Sequence, residues 1–309
     1  MILVAGGTGT LGTQLVRRLL ARGLRVRVLT RDAARVSDHD EHLEVVEADV
    51  RSHSSVVRAM AEVDTVVSAV HGFAGTGGVS PASVDRDGNA NLIDAAAAGN
   101  AAVVLMSVVG ASADSLMELF RMKHAAEQHL RASGVPWTIV RSTAFLEMWV
   151  ALLEQTAQRS GRPLVFGRGD NPINFVSVRD VAVLLERVLT DSSTRGQTFE
   201  IGGPQNLSFN QLAAALQEAA GRISGPRHVP RPALKAMTVA LRPFRPDLAR
   251  QARAALVLDS AGLVFDATAI HKTFPCLPST TLAELLGGRG AGNDERPSDR
   301  DGGASRLPT

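Results

Sequence analysis

An α/β fold with a doubly wound parallel sheet and a smaller C-terminal α/β lobe is predicted for this 309-residue chain. Short runs rich in Val and Ile recur from the first residues onward, and each has about the length of a strand. The segments between them space their apolar residues by three or four positions, which is typical of amphipathic helices. The runs are almost continuously apolar, and this indicates strands that helices cover on both faces.

The elements follow in chain order. Six strands of the sheet are predicted at residues 2–5, 26–30, 43–47, 65–69, 102–107 and 137–141. Helices are predicted around 11–20 and 116–130, and the second of them carries Lys123. Beyond residue 141, strands are predicted at 163–166, 174–178 and 198–202, and helices at 179–189, 208–220 and 246–258. Ser208 is expected to cap its helix, because a serine hydroxyl accepts hydrogen bonds from first-turn amides.

Composition excludes several classes of protein. The chain has 33 basic and 31 acidic residues and only 4% aromatic residues, so we expect no nucleic-acid partner. A single cysteine, Cys276, rules out an intrachain disulfide, and the eight dispersed histidines predict no metal site. The longest apolar stretch, 101–111, is too short to span a bilayer. We therefore expect a cytoplasmic protein with no membrane partner.

A glycine-rich turn joins the first strand to the first helix, with glycines at positions 6, 9 and 12. Such a turn directs unpaired backbone amides and the positive end of a helix dipole toward an anion, and small residues let a pyrophosphate approach. This context predicts a Rossmann-type dinucleotide site. The predicted contacts are Gly6, Thr8, Gly9, Thr10, Leu11 and Gly12.

The second strand ends at Thr30, followed by Arg31 and Asp32, where the adenosine ribose of a dinucleotide would lie. Arg31 would pair with a 2′-phosphate, so NADP(H) is favoured; the alternative is that Arg31 is a solvated surface charge. NAD(H) stays possible, because Asp32 follows the glycine turn by about twenty residues, where an NAD-type acid can occur. Asp49 is expected either to accept a hydrogen bond from adenine or to cap a helix at Ser54.

Three regions are expected from this pattern. Residues 1–146 form the dinucleotide-binding domain, and residues 147–286 form an interleaved substrate-binding lobe of which some segments complete the sheet. Residues 287–309 are almost entirely polar residues, Gly and Pro, so we expect a disordered tail there.

Several motifs together carry a family resemblance that spans residues 1–286. They are VAGGTGTLG, DRDGNANLIDAA from Asp85, VVLMSVVGA from Val103, KHAAEQHLRASGVPWTIVRSTAFLEMW from Lys123, FVSVRDVA from Phe175 and FEIGGPQNLSFNQLA from Phe199. In this order they resemble the NmrA-like group of atypical short-chain dehydrogenases/reductases. That group includes reductases, isomerases, quinone reductases and non-catalytic NADP sensors. The resemblance is therefore specific for the fold and much less specific for the activity.

The resemblance also implies catalytic positions. Typical superfamily members use a Ser, a Tyr and a Lys four residues after the Tyr; here Ser107 and Lys123 occupy two of the positions, Leu119 occupies the third, and the chain contains no tyrosine. Lys123 is also expected to position the nicotinamide ribose. The family fold brings the loop with Ala69, Val70 and His71 beside the nicotinamide, and His71 is a candidate replacement acid because histidine exchanges protons near neutral pH.

A pocket for a flat aromatic substrate is predicted at the sheet edge, formed by Phe73, Phe145, Met148 and Trp149. The favoured function is an NAD(P)H-dependent oxidoreductase that reduces a planar quinone or polyketide-like aromatic compound without a catalytic Tyr. Relatives in the family imply a further role in supporting ring hydroxylation. The alternative is a non-catalytic NADP(H) sensor that acts through a protein partner.

Overall fold

The computed structural model describes residues 1–158 and 160–291. Its central sheet contains seven parallel strands in the order β10-β6-β5-β4-β1-β2-β3. They are β1 (Ile2–Ala5), β2 (Val26–Thr30), β3 (Leu43–Glu47), β4 (Thr65–Ser68), β5 (Ala102–Val108), β6 (Trp137–Ser142) and β10 (Gln197–Ile201). The predicted doubly wound parallel fold is confirmed, with strand ends within one residue of their predicted positions for the first six.

Helices cover both faces of this sheet, because alternate strand residues point to opposite sides and most of them are apolar. One face packs against α2 (His53–Ala59), α3 (Asp87–Ala98) and α4 (Glu118–Ala132). The other face packs against α1 (Thr10–Leu20), α6 (Val178–Thr190) and the short α10 (Thr268–Thr273). Leu3 and Val4 are both fully buried on opposite faces, which places a hydrophobic core on each side of β1.

A smaller lobe follows β6 and has a third apolar core. Its strands form a three-stranded sheet in the order β11-β9-β7 and a parallel pair β12-β8. They are β7 (Ala144–Phe145), β8 (Leu164–Phe166), β9 (Ile173–Val176), β11 (Gln205–Leu207) and β12 (Arg227–Val229). Its helices are α5 (Leu146–Ala157), α7 (Phe209–Ala219), α8 (Arg231–Ala240), α9 (Pro246–Leu258) and α11 (Leu282–Ala291).

Two predicted boundaries are corrected by the structure. The tail predicted from residue 287 is wrong for its first five residues, because α11 continues through Ala291. The first turns of α11 carry Leu282, Leu285 and Leu286, which pack on the lobe core. Because these turns are already formed, the helix extends by one further turn at little cost. Residues 292–309 of the predicted tail lie outside the described residues. The helix predicted from 116 begins at Glu118.

Three short helical turns complete the set of elements. A 3-10 turn spans Ala33–Arg35 after β2, and a π-helical turn spans Pro81–Arg86 before α3. A second 3-10 turn, Ser192–Thr194, precedes β10. Within the described part of the chain, no helix is long and apolar enough to cross a membrane.

Candidate active site

The glycine turn between β1 and α1 has the geometry of an anion site. Gly6 adopts φ +86°, and a Cβ atom at Gly12 would lie 2.1 Å from the Gly6 carbonyl oxygen, so neither position accepts a side chain without backbone movement. Gly9 is the N-cap of α1, and no side chain caps the helix. The first amides of an 11-residue helix are therefore open toward the carboxyl end of the sheet, where a phosphate would bind.

The other predicted contacts of the glycine turn differ in which polar groups they expose to a ligand. Gly9 and Thr10 are exposed, whereas the Leu11 side chain is buried in the core beside α1, which leaves its backbone amide as its polar group at this site. The Thr8 hydroxyl lies 3.4 Å from the hydroxyl of the buried Thr30. The turn and the tip of β2 are thus in direct contact.

Charged groups surround the tip of β2. Asp32 accepts a hydrogen bond from the Ala34 amide at 3.1 Å and so caps the 3-10 turn, while Arg31 is exposed. Arg35 donates to the Thr8 carbonyl oxygen at 3.2 Å, which brings its guanidinium to the glycine turn. Sequence reasoning missed Arg35, because nothing in the local spacing indicates that the 3-10 turn directs it back to residue 8.

Asp49 pairs with a neighbour. Its carboxylate lies 2.6 Å from a guanidinium nitrogen of Arg51, and this hydrogen bond lowers the pKa of Asp49 below its usual value, although partial burial opposes the shift. The capping alternative is wrong, because α2 begins at His53 with Ser52 as its N-cap. A contact between Asp49 and adenine stays a prediction.

Lys123 lies in a buried ionic network at the end of β4. Its ammonium is 3.0 Å from a carboxylate oxygen of Asp85 and donates to the Val70 carbonyl oxygen at 2.9 Å. Asp85 is fully buried and also accepts the Gly72 amide at 2.8 Å. Asn89 extends the network, since it donates to the Asp85 carbonyl oxygen and accepts from Ser68. Sequence reasoning assigned no role to Asp85, although it opens one of the family motifs.

His71 and Ser107 occupy different environments. The His71 side chain is exposed, yet neighbouring protein desolvates it enough to lower its pKa below the usual 6.5, although the attraction of Asp85 opposes this shift. Ser107 is buried and donates to Glu127 at 2.5 Å, and Glu127 is in turn ion-paired with Arg141 at 2.7 Å. The catalytic roles of His71 and Ser107 stay predictions.

An apolar cavity of about 180 Å³ lies in the smaller lobe between α5, α8 and α9. Phe73 and Trp149 both line it, and Trp149 packs on Phe209 with ring centroids 4.8 Å apart. The other two predicted pocket residues do not line this cavity: Phe145 packs against the core beside α1, and Met148 is 44% exposed. Phe145 precedes α5, so helical spacing does not place it on one face with Trp149.

A family model described as NAD(P)H-binding matches residues 6–192 of the chain, from the glycine turn to the end of α6. The chain belongs to this NAD(P)H-binding family. Membership confirms the predicted family resemblance, and the matched segment includes the glycine turn, Asp85 and Lys123. No group of three or more His, Cys, Asp or Glu side chains could hold a metal ion among the residues described.

Two relatives and one solved structure are similar to this member of the NAD(P)H-binding family. The chain is 32% identical over 225 residues to NAD(P)H azoreductase of Xenophilus azovorans, covering 72% of this chain and 74% of the relative. It is 30% identical over 223 residues to (4-alkanoyl-5-oxo-2,5-dihydrofuran-3-yl)methyl phosphate reductase of Streptomyces griseus, with coverage of 72% and 74%. The NADPH-complexed quinone oxidoreductase of Escherichia coli shares the fold, with a TM-score of 0.73, 22% identity and coverage of 94% and 100%.

Proposed function

We propose that the protein is an NAD(P)H-dependent oxidoreductase that reduces planar, quinone-like aromatic compounds. Both relatives reported above, at 32% and 30% identity, are named as reductases, which supports the reaction class. When bound, the coenzyme supplies the hydride. The residues that would hold it are the glycine turn at its pyrophosphate, Arg31 and Arg35 at its adenosine end, and Ala69, Val70 and Lys123 at its nicotinamide end.

The proposal depends on which side chains of the site can donate a proton to the reduced substrate. Leu119 stands where a typical superfamily member has its tyrosine, and the chain has no tyrosine. The Ser107 hydroxyl proton is directed at Glu127, and the Lys123 ammonium is held by Asp85 and the Val70 carbonyl. A ketone reduced by hydride becomes a strongly basic alkoxide that needs an acid at once. Neither of these side chains is free to act as that acid, and His71, whose pKa is lowered by desolvation, is less protonated at neutral pH than an ordinary histidine.

A quinone does not have this requirement. Addition of a hydride gives a delocalised hydroquinone anion, which is far less basic than an alkoxide and takes its proton from water. Two electrons and one proton come from the reduced coenzyme, which leaves as its oxidised form, and solvent supplies the second proton. The apolar cavity lined by Phe73 and Trp149 suits the flat ring of such a substrate.

NADPH is the proposed coenzyme. Two guanidinium groups, Arg31 and Arg35, flank the tip of β2, whereas the carboxylate of Asp32 is engaged as a cap. We expect Arg35→Ala to raise the Kd of NADPH about tenfold or more through loss of a charge-assisted contact, and to change the Kd of NADH little. Arg58→Ala is the matched control, because Arg58 is exposed in the last turn of α2, and that end of the helix contacts Arg27 near the start of β2 rather than the tip of the strand. Equal losses for both coenzymes would contradict the assignment.

The test of the reaction is anaerobic oxidation of NADPH by purified protein with menadione, and with acetophenone as the isolated ketone. We expect turnover with menadione and none with acetophenone. Gly9→Asp is the control variant, because a Cβ there meets only the Gly6 carbonyl oxygen at 3.3 Å while a carboxylate would repel the pyrophosphate. Absence of menadione-dependent NADPH oxidation above this control would overturn the proposal.

Two further outcomes of the same assay are informative. Unequal binding of NADP and NADPH without any turnover would favour the sensor that acts through a protein partner. A role in ring hydroxylation predicts that admission of oxygen converts the hydroquinone to a hydroxylated product, which mass spectrometry detects as a gain of one oxygen atom.

A further inference from the structure

The loop of residues 71–80 after β4 is anchored by two charged side chains from different parts of the molecule. Near its start, the Gly72 amide donates to Asp85, which belongs to the π-helical turn before α3. Further along, Arg250 of α9 donates to the Phe73 carbonyl oxygen and to the Gly75 carbonyl oxygen, each at 3.0 Å. The loop therefore connects the coenzyme side of the molecule to the smaller lobe.

The two anchors enclose the part of the loop that faces the cavity. The Phe73 side chain lines the apolar cavity together with Gln251 and Ala254, which are the next residue and the next turn after Arg250 on α9. His71 lies just before the first anchor. A Cβ at Gly72 would lie 2.2 Å from the Ser80 carbonyl oxygen, so the start of the loop is closely packed against its end.

We propose that Arg250 is a positioning residue for the aromatic substrate. Its paired hydrogen bonds fix the backbone on both sides of residue 74, and this sets the position of the Phe73 ring as one wall of the cavity. A ligand in the cavity touches α9 within one turn of the same arginine, so substrate binding and loop position depend on each other. This inference rests on the proposed function, since it assigns the cavity to the reducible substrate.

The chemistry of the contact explains why arginine is required. A guanidinium donates two hydrogen bonds in a fixed planar arrangement and bridges two carbonyl groups, whereas a lysine ammonium has no such geometry. Arg250 is half-buried, so water competes weakly for these carbonyls. Loss of the side chain would leave both carbonyls to solvent and release the loop between Phe73 and Gly78.

The experiment compares Arg250→Ala, Arg250→Lys and the control Arg253→Ala in the full chain. Arg253 lies on the same helix and is exposed. Steady-state kinetics with menadione should show the KM for the quinone raised about tenfold or more in Arg250→Ala, with the Kd of NADPH unchanged within about twofold. Arg250→Lys should fall between, and Arg253→Ala should match the wild type.

Hydrogen exchange of the amides of residues 73–78 is the second readout and needs no substrate. We expect faster exchange there in Arg250→Ala and unchanged exchange in Arg253→Ala. Equal KM and equal exchange in the two alanine variants would overturn the inference, as would a parallel loss of NADPH affinity and thermal stability in Arg250→Ala. If the wild type reduces no quinone, the proposed function fails, and the exchange measurement still decides whether Arg250 holds the loop.

Discussion

Removal of the Asp85 charge tests the buried network most directly. Asp85 is fully buried and Lys123 is 4% exposed, with 3.0 Å between the charged atoms. At an effective dielectric constant of about 20, Coulomb's law gives about 5 kcal/mol of attraction at this distance. Asp85→Asn keeps the shape and an acceptor for the Gly72 amide, but among the described residues it leaves the ammonium with only the Val70 carbonyl as a partner. We expect the free energy of unfolding to fall by about 3–5 kcal/mol.

The assay is urea unfolding at pH 7 of Asp85→Asn, Lys123→Met and the double variant. The double variant should recover about 2 kcal/mol relative to the sum of the single changes, because it removes both buried charges. Asp94→Asn on α3 is the matched control: its partner is His129, both side chains are exposed, and the expected change is below about 1 kcal/mol. Additive single effects, or a loss in Asp85→Asn as small as in the control, would refute the reasoning.

Two further predictions concern the glycine turn and His71. Gly12→Ala should abolish NADPH binding in calorimetry, since its Cβ would lie 2.1 Å from a backbone oxygen, whereas Gly99→Ala, where the nearest atom is at 3.5 Å, should bind normally. His71 has a lowered pKa in the folded state, so the unfolded chain takes up more protons below pH 6.5 and stability falls as the pH drops through that value. In urea titrations the wild type should therefore lose more stability between pH 7 and 5.5 than His71→Gln; equal losses would contradict the shift.

The inner strands of the main sheet could be read from the sequence because they are buried on both faces. Burial on both faces selects nearly continuous apolar runs, and such runs can be recognised in the sequence without knowing which strands lie next to each other. Two short strands of the smaller lobe carry no such pattern: β7 has two residues, and β11 is the largely polar Gln205–Leu207. Their conformation depends on pairing with β9, which no local spacing reveals.

The same distinction holds at the site. The glycine turn is specified by residues within one turn of each other, so spacing alone located it. Arg35 contacts a residue 27 positions away, Lys123 contacts Val70 across 53 positions, and Arg250 contacts Phe73 across 177. Contacts of this kind exist only once the chain has folded. The identity of Lys123 was informative because an ammonium on a buried helix face requires a partner, but the sequence did not identify Asp85 as that partner.

The apolar cavity bears on the choice between enzyme and sensor. A protein that only reports the redox state of its coenzyme needs the glycine turn and the nicotinamide edge, and gains nothing from a second cavity in the smaller lobe. Unfilled apolar space forfeits packing contacts and lowers stability. Here Phe73 joins that cavity to the loop that begins at His71, and Arg250 holds the connection in place. A cavity connected by this loop to the predicted nicotinamide site is expected in a protein that binds a second small molecule next to the coenzyme. This favours the reductase over the sensor.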